Sequence, residues 1–547
     1  MSQNRHVWLR AGALAALLAL LLGAFAPGPA LAEKGDRPQA KPSGDSSESG
    51  NPFGGLFGGD DEDEEMVKVL DTYEPSGHDY SAIAVDRPRA LGIFRSWAYG
   101  LVSDAALDAY VNKVLRRIMA VAPEKPIPAK AYVLSDDTFG AYAAPDGGIF
   151  ITLGMLRDLE NEDELAFVLG HELSHIIYRH HDKDWYLKTE RRALTAAGLT
   201  HETLATAEGL TGTEIGATKD FKTGVLVGAL MLEAHTVVID PAFTREQEDE
   251  ADLLGLDLMI AAGYNMAATI TLLEKLDIWE KQQEAKKPKR TAGEREADME
   301  EAATEGGLGG LFGQAFEDLT SVIEEEKAEL SKEHVPAAER NAVLQNYMLG
   351  PYMMEVPPPI TPLAWHDATP EGAAILQLIE KYNAARSAFM ALGGGDLQKA
   401  ESLARKAIED ATKHDAYPRM AFYSVRKAQG KGKLAKKNLE LAMAGKEPSF
   451  AIYARAIEDA KAAEDWQLAV AHIEEARKRL ADTPTLLPLR IEVYPKVGRK
   501  SEVAELLIEC KADYPSLADR CAIAAGQEPA KAPEVEALEE GASSLTN

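Results

Sequence analysis

Apolar residues recur at helical spacing along most of this 547-residue chain, and only one short region carries the pattern of strands. Leu101 to Ala120 has one apolar face and is predicted as an amphipathic helix. Ala131-Tyr132-Val133-Leu134 is predicted as a short strand. Ala141 to Thr152 (AYAAPDGGIFIT) is predicted as a hairpin, turning at Pro145-Asp146-Gly147-Gly148 into a strand over Ile149-Phe150-Ile151. The next stretch, Glu162 to His181 (EDELAFVLGHELSHIIYRHH), returns to helical spacing, with Leu165, Val168, Leu169, Leu173, Ile176 and Ile177 as its stripe. Asn161 stands where a helix cap belongs, and Glu164 follows three residues on. A second buried helix is predicted within Phe243 to Asn265, where Leu253, Leu254, Leu256, Leu258 and Met259 cluster, and another over Gly313 to Leu330.

Beyond Pro357-Pro358-Pro359 and Pro362 the chain turns into Ala-rich amphipathic helices of repeating length. Ala400, Ala435, Ala469 and Val503 are spaced by 35, 34 and 34 residues, and Gly395, Gly430 and Gly498 stand five residues before three of them. That period matches tetratricopeptide repeats, helix hairpins that bury an apolar face on their neighbours and leave a concave surface for protein segments. The pattern as a whole predicts an α+β, mostly helical chain. A domain with a small sheet spans 66–365, with a charged insert at about 281–307, and an α-solenoid of tetratricopeptide-like hairpins spans 371–525.

Composition changes the picture mainly at the ends. Arg5, His6 and Arg10 precede an apolar run from Ala11 to Ala26, then Pro27, Pro29 and Ala30-Leu31-Ala32. This predicts a signal peptide over 1–32, cut before Glu33, and hence the bacterial periplasm. No cysteine follows that cut, which excludes a lipoprotein, and no later stretch reaches the length of a transmembrane helix. The most apolar, Val225 to Ile239, is interrupted by Glu233 and His235. Residues 33–65, rich in Gly, Ser and acid, and 526–547 are predicted as disordered. The linker carries Gly54-Gly55-Leu56-Phe57-Gly58, which recurs at Gly309-Gly310-Leu311-Phe312-Gly313. A net charge of −29 argues against nucleic acid or an anionic lipid surface as partner. Cys510 and Cys521, the only cysteines, are predicted to pair in an oxidising compartment.

The chemistry concentrates in the Glu162–His181 stretch. His171-Glu172-Leu173-Ser174-His175 fits H-E-x-x-H, whose two histidines point from one helix face at a shared zinc. Glu172, about 100° round the turn, is placed to act as a base on water without being a ligand. A strand just ahead of such a helix is where zinc proteases hold extended substrate by main-chain pairing. A catalytic zinc needs a third ligand, and there are three candidates. His181 has the metzincin spacing but lacks the turn glycine, since Tyr178 stands there. His180 and His181 are instead expected to end the helix, where imidazole suits the negative dipole end. Glu294, in a local repeat of the same acidic pattern, has no apolar face to dock its segment. Glu248 lies on the buried helix four residues before Asp252, which is placed to take the outer proton of a ligand histidine. Glu248 is therefore the expected third ligand.

Three segments, NEDELAFVLGHELSHIIYRH, TREQEDEADLLGLDLMIAAGYN and EHVPAAER, together resemble the gluzincin metalloproteases of the HtpX and CAAX-prenyl type, over about Leu101 to Arg340. The exported, repeat-bearing architecture is most similar to the periplasmic branch that assists β-barrel assembly. The resemblance implies a zincin-type domain with one zinc ion held by His171, His175 and Glu248, and Glu172 as catalytic base. It also singles out His334, as a fourth ligand at rest or a gate, and with it Arg340, both candidates to share oxyanion charge. Val335 intervenes before Pro336, Gly140-Ala141 replaces the family's Asn-Ala, and Asp146 is inserted in the hairpin. The expected activity is endopeptidase cleavage of misfolded or misassembled envelope proteins, with the repeats recruiting clients or outer-membrane assembly machinery. The competing expectation is a chaperone for outer-membrane proteins with latent proteolysis.

Overall fold

The computed structural model describes residues 66–80, 87–96, 100–125, 127–181, 243–286, 335–367, 369–480, 483–514 and 517–527. The signal peptide, the 33–65 linker, both Gly-Leu-Phe-Gly strings, Val225–Ile239, the helix over Gly313–Leu330 and all but two residues of the 526–547 tail lie outside these residues. So do Glu294 and His334.

Two helices, α1 (Val69–Thr72) and α2 (Arg87–Ser96), precede a four-stranded sheet made of β1 (Leu101–Val102), β2 (Lys130–Leu134), β3 (Ala141–Ala143) and β4 (Gly148–Thr152). The strand order is β1-β2-β4-β3. β2 and β4 run parallel, pairing Lys130 with Gly148 through Leu134 with Thr152, and the two outer pairs are antiparallel. β4 is central, and all five of its residues are buried, with Phe150 stacked on Phe94 of α2 at 3.8 Å. The predicted hairpin is the β3–β4 pair. The helix predicted from Leu101 begins instead at Ala105 and forms α3 (Ala105–Met119). Asp104 accepts from the backbone N–H groups of Ala106 and Leu107 and so sets the helix start, which frees Leu101 and Val102 to pair with Leu134 and Val133.

After the sheet come α4 (Leu153–Asp158), α5 (Glu162–Tyr178), α6 (Arg245–Ala261), α7 (Ala267–Lys286) and α8 (Ala337–Leu349). Helix α7 takes in the first six residues of the expected charged insert. The predicted cap of α5 is present, Asn161 accepting from the Glu164 N–H at 2.8 Å. Sixteen of its 17 residues are buried, so the helix is enclosed on every side rather than along a stripe.

Three buried carboxylates in its first turn fix α5 in place. Glu162 accepts from the hydroxyls of Tyr110 (2.8 Å) and Tyr264 (3.1 Å). Asp163 accepts from the backbone N–H groups of Asn265 (2.7 Å) and Thr361 (2.6 Å). Glu164 takes the Glu160 N–H, the Thr271 hydroxyl and Lys275. Helix α6 crosses α5 at closest approach through Gly170 and Gly255. A Cβ on Gly255 would lie 2.7 Å from the His171 nitrogen, so only glycine lets the two backbones come this near.

The C-terminal region is helical throughout: α9 (Pro370–Gly393), α10 (Leu397–Ala407), α11 (Ala416–Ala428), α12 (Gly432–Met443), α13 (Phe450–Ala462), α14 (Trp466–Arg479), α15 (Leu487–Val493), α16 (Lys500–Asp513) and α17 (Ala518–Ala524). Neighbours pack as α9 on α10, α11 on α12 and α13 on α14. Ala400, Ala435 and Ala469 are all buried in these contacts, whereas Val503 is partly exposed and Leu506 takes the buried place in α16. Gly395, Gly430 and Gly498 have positive φ at the turns within three helix pairs, and Glu464 adopts the same conformation (φ 55°) at the turn between α13 and α14. A disulfide joins Cys510 to Cys521, tying α17 to α16. The C-terminal region also holds the elements around the sheet: Arg95 of α2 makes a two-pronged pair with Glu447, between α12 and α13 (2.7 and 3.1 Å), and Arg386 of α9 pairs with Asp137 at 2.7 Å. Among the described residues no helix is long and apolar enough to cross a membrane.

Candidate metal centre

Four residues apart on α5, His171 and His175 turn their Nε2 atoms to within 3.1 Å of each other. Helix α6, started by a capping box between Thr244 and Gln247, brings Glu248 to them. Its carboxylate oxygens lie 3.8 Å from His171 Nε2 and 3.6 Å from His175 Nε2. Among the described residues these three form the cluster of potential metal-ligating groups, with one ligand atom each inside a 4.8 Å span. Zinc bonds of about 2.0–2.1 Å in a tetrahedron put ligand atoms roughly 3.3 Å apart. The three separations bracket that value.

The protons around the cluster are accounted for by its surroundings. His171 Nδ1 is 2.8 Å from Asp252 Oδ1, so its N–H points outward and its Nε2 lone pair inward. Arg340, from α8, grips Asp252 with two parallel bonds of 2.8 and 2.7 Å and reaches Glu248 Oε2 at 3.1 Å. Burial alone would raise the Asp252 carboxyl, but Arg340 and then His171 hold it well below the usual carboxylate range. Burial pushes the His171 imidazole down, and Asp252 more than offsets this, leaving it raised. For His175, burial and the neighbouring His171 act together and hold its protonation well below the ordinary histidine range. The result is three inward-facing acceptors, two imidazole nitrogens and a carboxylate, around one point. The donor types and spacing fit zinc.

Glu172, expected as the base, lies one residue along from His171 and is buried. His181 is not part of the cluster; its Nε2 is 3.1 Å from the Ala143 carbonyl on edge strand β3. The expectation that His180 merely ends the helix is corrected in part. Its backbone N–H does bond the His175 carbonyl, after Arg179 takes a left-handed φ of 59°. Its ring, however, turns inward, with Nδ1 at 2.9 Å from His175 Nδ1 and Nε2 at 2.9 Å from Glu250. Phe243 stacks flat on His175 at 3.9 Å. Glu250 and Phe243 are contacts of this cluster that the sequence does not single out, and the inward turn of His180 is a third feature that it does not show. The five-residue step from His175 to His180 has no meaning on a regular helix and acquires one only through the turn at Arg179.

The description "Peptidase family M48" belongs to the family model that matches residues 105–347, the span from the start of α3 almost to the end of α8. Residues 105–347 are an M48 peptidase domain. Over 208 residues the chain is 28% identical to the beta-barrel assembly-enhancing protease of Yersinia pestis, an alignment covering 36% of this chain and 39% of that protein. Over 176 residues it is 27% identical to the protein of the same name from Escherichia coli strain K12, covering 32% of this chain and 34% of the relative. The mitochondrial metalloendopeptidase OMA1 of Schizosaccharomyces pombe is 32% identical over 173 residues, 32% of this chain and 45% of the relative. The matches thus span less than half the length of each of these curated relatives.

Proposed function

We propose that the M48 domain of this chain is a zinc-dependent endopeptidase in which His171, His175 and Glu248 hold the metal. The observation that carries the reading is the convergence of one ligand atom each from His171, His175 and Glu248 within 4.8 Å, with Asp252 against the outer nitrogen of His171. Zinc bound there supplies a Lewis acid that acidifies water and takes up developing oxyanion charge. Glu172 accepts the proton of the attacking water and returns it to the leaving amine. Asp252 fixes the His171 ring. Arg340 is a positioning residue: all three guanidinium nitrogens face Asp252 or Glu248, which occupies it away from an oxyanion. His334, one residue ahead of the segment leading into α8, stands as the candidate fourth ligand at rest.

The apolar N-terminal run supports export to the periplasm, and the relatives' name, beta-barrel assembly-enhancing protease, supports a role beside β-barrel assembly, with misassembled envelope proteins as the clients in this reading. The helix pairs after residue 370 form the tetratricopeptide-like array in this reading. Positive φ at residues 395, 430, 464 and 498, at the turn inside each of four helix pairs, supports the period, and the array's surface recruits clients or assembly machinery in this reading. The deciding experiment measures metal content and cleavage of an unfolded protein by wild type and Glu172→Gln. Retained zinc with lost cleavage is expected; zinc-free wild type or unchanged cleavage in the variant overturns the reading. If the inactive full-length protein still rescues a strain lacking it, while deletion of Glu371–Asn547 does not, the chaperone role is the principal one.

A further inference from the structure

A histidine can donate its Nε2 lone pair to a metal only if its proton sits on Nδ1, and His171 and His175 meet this requirement differently. His171 hands its Nδ1 proton to a carboxylate, Asp252. His175 has another imidazole there, His180 Nδ1 at 2.9 Å, and two such nitrogens can share only one hydrogen. Which ring carries it depends on the far side of His180. Its Nε2 lies 2.9 Å from a Glu250 carboxylate oxygen, an acceptor only. Glu250 therefore draws the His180 proton to Nε2, which leaves His180 Nδ1 as an acceptor. His175 must then place its proton on Nδ1, and its Nε2 is left bare, facing Glu248. The opposite order would put an N–H into the metal position.

On that basis we infer that His180, oriented by Glu250, is a positioning residue that sets the tautomer of His175 and thereby the metal affinity of the site. The inference rests on His175 being a ligand. The groups around the pair are consistent with a fixed ring rather than a mobile one. His180 lies parallel to the Tyr178 ring at 5.3 Å and 7°, Phe243 covers His175, and Gln247 donates to the His180 carbonyl at 3.3 Å.

Two substitutions separate tautomer control from packing. His180→Phe keeps a ring against Tyr178 but has no acceptor. His180→Asn loses the ring and keeps an oxygen near the Nδ1 position. Zinc dissociation constants, from chelator competition on the full-length chain, are expected to rise by about 10–100-fold in His180→Phe and to change clearly less in His180→Asn. The reverse order, Phe retaining and Asn losing affinity, overturns the inference. Glu250→Lys presents a donor to His180 Nε2 and should reverse the relay, with the affinity loss of His180→Phe. A third readout needs no substitution. Long-range proton–nitrogen spectra of the metal-free, histidine-labelled protein should show the His175 proton on Nδ1 and the His180 proton on Nε2. The opposite assignment sinks the idea even if the variants lose affinity. Wild type that binds no zinc overturns the proposed function along with it, whereas zinc-binding wild type with unaffected His180 variants overturns this inference alone.

Discussion

The two ends of α5 bury equally polar side chains and solve the problem in opposite ways. At the N-terminal end, Glu162, Asp163 and Glu164 are each matched to donors: two tyrosine hydroxyls, two backbone N–H groups, and a lysine with a hydroxyl and an N–H. Two turns on, His171 and His175 turn ring nitrogens toward each other and toward a carboxylate. Matched acceptors make a joint, through which α5 is locked to α3, α7 and the loops at Asn265 and Thr361. Imidazole nitrogens and a carboxylate facing one another are the arrangement a cation site requires. Burial and charge alone do not distinguish the two; the proton inventory does.

The comparison breaks most visibly if the two ends are disabled separately. Asp163→Ala strands one buried and one partly buried backbone N–H group, at a cost of roughly 2–4 kcal/mol, while zinc bound per folded molecule should stay at the wild-type value. Glu248→Gln should do the converse. Zinc affinity should fall on the order of 100-fold or more, with the unfolding free energy of the metal-free protein changed by about 1 kcal/mol or less. Urea unfolding of the metal-free proteins, together with zinc titration, checks both. If Asp163→Ala lost zinc while folded, or Glu248→Gln unfolded the apoprotein, the division of labour along α5 would be wrong.

A pair of aspartates on α6 sharpens the rule by showing that matched donors are not all alike. Asp252 has Arg340 as partner and stays ionised. Asp257 accepts only from neutral groups in contact: the Leu70 N–H at 2.8 Å, the Tyr352 hydroxyl at 2.7 Å and the Tyr347 hydroxyl at 3.0 Å. Burial pushes its carboxyl up to about 6, against those hydrogen bonds. Because the folded-state value lies above the unfolded one, this group favours folding at low pH, and the contribution is lost as pH rises through about 6. Relative to Asp257→Asn, wild type should therefore lose on the order of 2–3 kcal/mol between pH 4 and pH 7. A carboxyl titration midpoint near the ordinary aspartate value would contradict this.

Which parts were legible in the sequence follows the same physics. The α5 helix, its Asn161 cap and the Glu248/Asp252 spacing are local patterns, and the structure carries all three, although α5 is buried all round and not only along its apolar stripe. The match of Glu162 and Asp163 to their donors was not legible, because those donors come from Tyr110, Tyr264, Asn265 and Thr361, up to 198 residues away. The start of α3 was placed too early because Leu101 and Val102 satisfy a helical stripe as well as a strand, and the Asp104 cap decides between them. In the C-terminal helices, glycine marks the turns at 395, 430 and 498, whereas Asp410, Glu447 and Glu464 accept at other turns a left-handed backbone that glycine adopts without strain. His180 was named for the wrong reason: helical periodicity ends at Arg179, and contact beyond it is set by one positive φ.

The smallest test lies just outside the joint. Asn161 caps α5 through a single side-chain bond to the Glu164 N–H, while its backbone bridges Pro362. Replacing it by alanine removes the bond and keeps the bridge, so about 1 kcal/mol of stability should be lost. The expectation for the metal is more telling than the loss itself. His171 lies ten residues down the helix, beyond the three carboxylates that already fix its start. Asn161→Ala should therefore lower the urea midpoint and leave the zinc dissociation constant unchanged. A parallel weakening of zinc binding would mean that α5 transmits disorder from its first turn to its third, and that the joint holds the helix less firmly than its hydrogen bonds indicate.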